Sequence, residues 1–334
     1  MLKEAMFYEK LEDKIVRCNL CSHQCKILPS KIGVCGVRQN IEGTLNTLVY
    51  GEVIANNVDP IEKKPLYHFY PGTKSYSIAA KGCNFKCGFC QNWQISQMSE
   101  QLSVVPGYEI SPIEIVLDAE KTKCKSISYT YTEPTIFFEY AYDIAKLAKE
   151  KGMHNVFVSN GYMTEKALKK IGPFLDAINI DLKSFSEEFY ITVCKGHLNP
   201  VLDSIKLAKD MGIWVEITTL IIPGQNDSQE ELREITEFIA GVGKDIPWHI
   251  NRFYPNYKFL DKEPTPIETL KKAYQLGKKA GLRYIYMGNV SRGSDTYCYK
   301  CHEILIQRIG FDIVQNNLDK DKCSFCGEIL DGIL

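Results

Sequence analysis

The stretch AAKGCNFKCGFCQNW sets three cysteines, Cys83, Cys87 and Cys90, on one loop behind a short apolar run and a glycine. Disulfides consume thiols in pairs, so three leave one over. Spacings of three and two residues let all three side chains converge on one point. Three thiolates from a single loop suit an iron–sulfur cluster with one iron left open to a further ligand. A cysteine-rich composition could also produce the pattern by chance, so the rest of the chain must decide.

The 334-residue chain carries thirteen cysteines. All but Cys124 and Cys194 fall into three groups. The N-terminus lacks the apolar core of a secretion signal, and no segment is long and apolar enough to span a membrane, so the expectation is a soluble, cytoplasmic protein. Thiols grouped in a reducing compartment bind metal rather than forming a disulfide framework. The first group is Cys18, Cys21, Cys25 and Cys35, with His23 as a spare ligand. Gly33-Val34-Cys35-Gly36 has the look of a metal knuckle, and structural zinc is favoured slightly there over a second cluster. The last group, Cys298, Cys301, Cys323 and Cys326, is two C-x-x-C pairs about twenty residues apart, the zinc-ribbon pattern. Rubredoxin-like iron is one alternative. Haem attachment at CYKCH, through His302, is another, but it needs export and orphans Cys323 and Cys326. A formal net charge of -1 gives no general electrostatic reason to bind nucleic acid.

These ligands need a scaffold. From about residue 75 the sequence repeats strand and helix: SYSIAA, SISYTY, HNVFVSN, AINIDL, WVEITTLII, WHINRFYP and RYIYMGN read as buried strands. Amphipathic stretches such as PTIFFEYAYDIAKLAKEKG and SQEELREITEFIAGVGK separate them. Alternating strands and helices predict a parallel α/β sheet with right-handed crossovers. No G-x-G-x-x-G follows the first strand, which weakens a dinucleotide-binding reading. The unusual residues sit after strand ends: the cysteine loop, YTEP, SNGY, DLK, IIPGQND and RFYP in turn. A barrel builds its active site on that face. Upstream, the alternation in residues 44–72 suggests a hairpin leading into the next domain. The expected division is an N-terminal cysteine-rich segment and hairpin over 1–74, a core barrel over 75–290, and a zinc-ribbon-like segment over 291–334.

A C-x-x-x-C-x-x-C loop after the first strand of a parallel barrel, with Phe89 before the last cysteine, resembles the radical S-adenosylmethionine (radical SAM) superfamily. The resemblance implies a partial (β/α) barrel, an oxidoreductase-type enzyme, a [4Fe-4S] cluster on Cys83, Cys87 and Cys90, and S-adenosylmethionine chelated at the open iron. Reductive cleavage would give methionine and a 5′-deoxyadenosyl radical that abstracts hydrogen. Glu133, in YTEP, would meet the methionine ammonium in place of the family's Gly-Gly-Glu, with Tyr131 and Thr132 where the glycines would be. The lesser alternative is that Glu133 only starts the helix that follows. Ser159 and Asn160 beside Gly161 would reach ribose hydroxyls. Asp181 and Lys183 resemble the Asp-x-Lys segment of glycyl-radical-enzyme activases. IIPGQND resembles the loop near the adenine, with Ile221, Gly224 and Asn226 the contacts. His249 and Arg252 lie three apart, so a regular strand turns only one inward, and Arg252 is preferred. Cys124 and Cys194 read as packing, Cys194 with a smaller chance of reaching the substrate.

The N-terminal C-x-L-C-x-H-x-C…G-V-C-G-V-R, ahead of CNFKCGFCQNW and with YTEP, resembles the radical enzyme of the AmmeMemoRadiSam system, related to pyruvate formate-lyase activating enzymes. That implies an electron donor of flavodoxin or ferredoxin type, and Memo-like and AMMECR-domain partners. A glycyl-radical-enzyme activating enzyme is one alternative. A non-catalytic zinc- and iron-binding module is the other.

Overall fold

A computed structural model describes residues 2–97 and 107–334. The apolar runs become parallel strands of one eight-stranded sheet: β2 (Lys74–Ala79), β3 (Ser126–Tyr129), β4 (His154–Ser159), β5 (Ala177–Asp181), β6 (Trp214–Ile221), β7 (Trp248–Arg252) and β8 (Ile285–Gly288), adjacent in chain order. β1 (Ala55–Pro60) closes one edge, antiparallel to β2. Between the parallel strands run α1 (Pro112–Lys121), α2 (Phe138–Glu150), α3 (Glu165–Ile171), α4 (Leu198–Asp210), α5 (Gln229–Val242) and α6 (Ile267–Ala280). This is a mixed α/β fold around a parallel sheet, as the strand–helix repeat requires.

Local chemistry sets the helix ends. A capping box starts α1: Ser111 Oγ accepts from the Glu114 N–H, and Glu114 Oε2 from the Ser111 N–H at 2.8 Å. α2 follows a short 3-10 turn at Pro134–Phe137 and ends at Lys151-Gly152, where Gly152 takes φ +70°. Alternate strand residues divide the sheet's two faces. Ile127, Ile178, Ile180, Ile217 and Ile250 are buried in the main apolar core. Residues of opposite parity, Thr218 and Leu220, His249 and Asn251, Tyr286 and Gly288, line the interior cavity.

The hairpin expected over residues 44–72 is divided. Thr44–Thr47 pairs with Arg38–Ile41 in a small N-terminal sheet, while Ala55–Pro60 becomes the barrel's edge strand. The barrel sheet therefore begins upstream of residue 75. The C-terminal segment forms a three-stranded sheet (Thr296–Tyr297, Ile304–Ile309, Asp312–Asn316), then returns beneath the barrel, where Ile333 bridges Phe69. Among the described residues no helix is long and apolar enough to cross a membrane.

Candidate active site

Cys83, Cys87 and Cys90 converge, as their spacing demands, on one wall of a cavity of about 1160 Å³. Donors surround the sulfurs. The Phe85 N–H lies 3.4 Å from Cys83 Sγ, the Asn160 amide 3.9 Å from the same atom, and Ser96 Oγ 3.2 Å from Cys90 Sγ. Such donors suit thiolates that carry charge in a buried place. Without metal, burial pushes the Cys83 and Cys90 thiols above their usual range; Cys87 is raised first by its hydrogen bond with Cys194 and then by burial. A metal would reverse this, since coordination requires the deprotonated form.

Cys194 therefore does more than pack at a distance. It ends a π-helical turn, Tyr190–Cys194, closed by Lys195 at φ +61°. Its carbonyl accepts from the Lys86 N–H at 2.8 Å, tying that turn to the cysteine loop. The sequence carried no signal of this approach, because a π-turn has no spacing signature.

Across the cavity, Lys183 Nζ lies 2.8 Å from Asp181 Oδ2. Burial works against the Lys183 charge, yet Asp181 and then the thiols of Cys87 and Cys194 outweigh it and raise its pKa well above the ordinary value. Both residues line the cavity, as their shared strand face predicts. Glu133, Ser159 and Asn160 also line it, but they bind one another. The Glu133 carboxylate accepts from the Thr135 N–H at 3.0 Å and its hydroxyl at 2.6 Å, from Ser159 Oγ at 2.8 Å, and from the Asn160 N–H at 2.8 Å. It caps the 3-10 turn and clamps the ends of β3 and β4 together. The helix-starter role is thus realised.

Asn226 stands apart from the cavity lining. Fully buried, it donates to the carbonyls of Lys183 at 2.6 Å and Leu220 at 2.8 Å, and accepts from the Ile222 N–H at 2.7 Å. It fixes the loop after β6 to the loop after β5. Ile221 and Gly224 are likewise absent from the lining. His249 and Arg252 both line the cavity, contrary to the expectation that one would. His249 has inward parity and bonds Glu216 at 2.6 Å; Arg252, the last residue of β7, reaches over the strand end to Thr265 O at 2.8 Å and Tyr254 Oη at 3.0 Å. The sequence reading missed Lys64, Thr130, Thr218 and Tyr286 in the wall. Strand parity pointed to Thr218 and Tyr286; nothing pointed to Lys64, which lies in a polar segment.

The third cysteine group also assembles. Cys298, Cys301, Cys323 and Cys326 hold their sulfurs within 4.8 Å of one another, a set that could bind a metal ion.

Residues 77–239 match the model of the radical SAM superfamily. An uncharacterized protein of Methanocaldococcus jannaschii is 47% identical over the whole of both chains. The pyruvate formate-lyase-activating enzyme of Clostridium pasteurianum is 24% identical, over 60% of this chain and 89% of its own. Among solved structures, a radical SAM methyltransferase from Sphaerobacter thermophilus shares the fold, with TM-score 0.52 and 15% identity over 71% of each chain. The chain belongs to the radical SAM superfamily. Membership implies a [4Fe-4S] cluster and S-adenosylmethionine, and the donor-ringed thiols of the cysteine loop fit such a cluster.

Proposed function

We propose that this protein cleaves S-adenosylmethionine reductively and abstracts hydrogen from a substrate admitted to the central cavity. The observation that supports this is the meeting, on one cavity, of a three-thiol loop with the polar ends of the next strands. Cys83, Cys87 and Cys90 would hold the cluster and leave one iron open. When bound, the cluster and S-adenosylmethionine supply one-electron scission of a sulfur–carbon bond and a 5′-deoxyadenosyl radical that takes a hydrogen atom. Lys183, held cationic by Asp181, would face the methionine carboxylate, and Asp181 the ribose. Glu133 would hold Ser159 and Asn160 in place rather than meet the ammonium directly. Buried walls such as Phe85 and Phe89 exclude water.

Two substrate classes fit: one presented by Memo-like and AMMECR-domain partners, and a glycine of a glycyl-radical enzyme. A named activating enzyme among the relatives supports the second. A flavodoxin or ferredoxin would reduce the cluster, in a compartment that keeps thiols reduced. A module that only binds zinc and iron would perform no cleavage.

Anaerobic protein reconstituted with iron and sulfide, reduced and given S-adenosylmethionine, is expected to release 5′-deoxyadenosine and methionine. Replacing Cys83, Cys87 and Cys90 with Ala should abolish both products. No cleavage by the reconstituted parent protein would overturn the proposal. Deuterium carried from a candidate substrate into 5′-deoxyadenosine would identify the hydrogen donor.

A further inference from the structure

Glu216 is fully buried, and its carboxylate is ringed by donors. The His68 N–H at 2.8 Å and the Trp214 indole at 3.0 Å meet Oε1. The Tyr67 N–H at 3.0 Å and His249 Nε2 at 2.6 Å meet Oε2. Burial opposes charge on that carboxylate, yet the His249 bond and the other donors outweigh it and lower its pKa. An ionised carboxylate only accepts, so the proton of the shortest bond belongs to Nε2. We propose that His249, held in this way by Glu216, is the acid–base group of the central cavity, taking a proton from a substrate O–H or N–H next to the carbon that gives up hydrogen.

The second ring nitrogen is unspent. Nδ1 has no hydrogen-bond partner among the described residues, and His249 lines the cavity. In the neutral ring with Nε2 protonated, Nδ1 carries the lone pair. Packing fixes the plane of the ring. Tyr67 meets it edge-on with centroids 4.7 Å apart, and Tyr286 stacks on it at 5.1 Å. Glu216 also holds the main chain of Tyr67 and His68, a task the carboxylate performs without any imidazole. An imidazole fixed by a carboxylate, with its other nitrogen unbonded, is the arrangement of a proton acceptor.

Strand register puts His249 level with a proposed cofactor contact. Asp181, Thr218, His249 and Tyr286 are successive partners across β5, β6, β7 and β8, and all of them line the cavity. Neighbouring strands stand about 4.8 Å apart, which puts the Cα atoms of Asp181 and His249 about 10 Å apart. A small molecule lodged beside Asp181 can therefore reach His249.

The proton step needs no further reagent. Once a hydrogen atom has left the substrate carbon, the neighbouring O–H or N–H bond breaks. Its electron pair stays on the heteroatom and its proton goes to Nδ1. The carbon keeps its unpaired electron, and the Glu216 carboxylate balances the imidazolium. The hydrogen-atom step rests on the radical SAM reading; the orientation and accessibility of His249 do not.

Nuclear magnetic resonance on the full chain labelled with heavy-nitrogen histidine reports the orientation. His249, assigned by its loss from the His249→Gln spectrum, should carry its proton on Nε2 and none on Nδ1 wherever the ring is neutral. A proton on Nδ1 instead would overturn the proposal. In Glu216→Gln the amide can donate to Nε2, so the other tautomer should appear; an unchanged tautomer would remove Glu216 from its positioning role. Diethyl pyrocarbonate, which acylates accessible unprotonated imidazole, needs no variant. It should modify His249 and spare His68, which is equally buried but has both ring nitrogens bonded. Equal resistance of the two rings would sink the idea. Among deuterated compounds that label 5′-deoxyadenosine, each should carry an O–H or N–H next to the labelled carbon, and His249→Gln should slow its conversion to product by roughly 10²–10⁴-fold. Label drawn from a carbon without such a neighbour, or undiminished conversion, would overturn the catalytic role. Failure of the parent protein to cleave S-adenosylmethionine would count against the radical SAM reading instead, leaving the resonance and acylation results to decide the state of His249.

Discussion

Tyr131 and Glu133 show what one residue can and cannot disclose. Tyr131 stands where the family carries glycine, and it adopts the left-handed conformation at φ +63°. A tyrosine there costs roughly 1–2 kcal/mol of backbone strain. Its hydroxyl donates to Asp59, the Lys64 ammonium lies 4.4 Å from its ring centroid, and Asn92 donates to its carbonyl at 2.7 Å. The left-handed turn is held here without a glycine. The cysteine loop was legible because its ligands are close in sequence. The engagement of Glu133 was not, since Ser159 and Asn160 lie a whole β/α unit away. Glu133→Gln replaces an oxygen by an amide that must face a donor, so unfolding stability should fall by about 1–3 kcal/mol. Denaturant titration would measure it. Unchanged stability with a ten- to hundred-fold loss of S-adenosylmethionine affinity would instead place the carboxylate against the methionine ammonium.

At the scale of elements, the seven parallel strands were readable as apolar runs because both of their faces are covered. β1 was not. ANNVDP has the composition of a loop, yet it pairs in register with β2, and Lys63 and Lys64 bond its Asp59 at 2.8 and 2.6 Å. Proline and polar residues are tolerated there because the strand is an edge. The loops after β5 and β6 depend on Asn226, whose amide makes three main-chain bonds. In Asn226→Ala the freed groups lose their partners, and the expected loss of stability is about 2–3 kcal/mol. Lys183 should become mobile with its loop, so affinity for S-adenosylmethionine should fall too. If calorimetry shows weaker binding at unchanged stability, Asn226 touches the ligand and the clamp reading is wrong.

The whole molecule is joined beneath the barrel by a chain of hydrogen bonds that no local pattern announces. Arg308 Nη1 donates to Thr296 Oγ1 at 2.8 Å, and Thr296 lies 2.9 Å from the Tyr286 hydroxyl. Tyr286 lies 2.5 Å from His68 Nε2, and His68 Nδ1 lies 2.6 Å from the Asp331 carbonyl. A carbonyl only accepts, so Nδ1 carries a proton. Burial lowers the ring's pKa to about 4, so at neutral pH His68 is neutral and its Nε2 accepts from Tyr286, joining the terminal segment to the barrel floor. In the unfolded chain the ring titrates near 6.5. Between these values the unfolded state binds the extra proton, so stability declines as pH falls from about 6.5 to about 4 and this contribution is flat below. A shift of that size corresponds to about 3 kcal/mol. Neighbouring carboxylates add slopes of their own: Glu216 accepts from the His68 N–H and from His249. A comparison with His68→Gln isolates the histidine, because glutamine keeps a donor and an acceptor but does not titrate. Urea midpoints measured from pH 7 to pH 4 should fall more steeply for the parent than for the variant. Parallel curves would mean that His68 is not buried as the neutral link between the tail and the barrel.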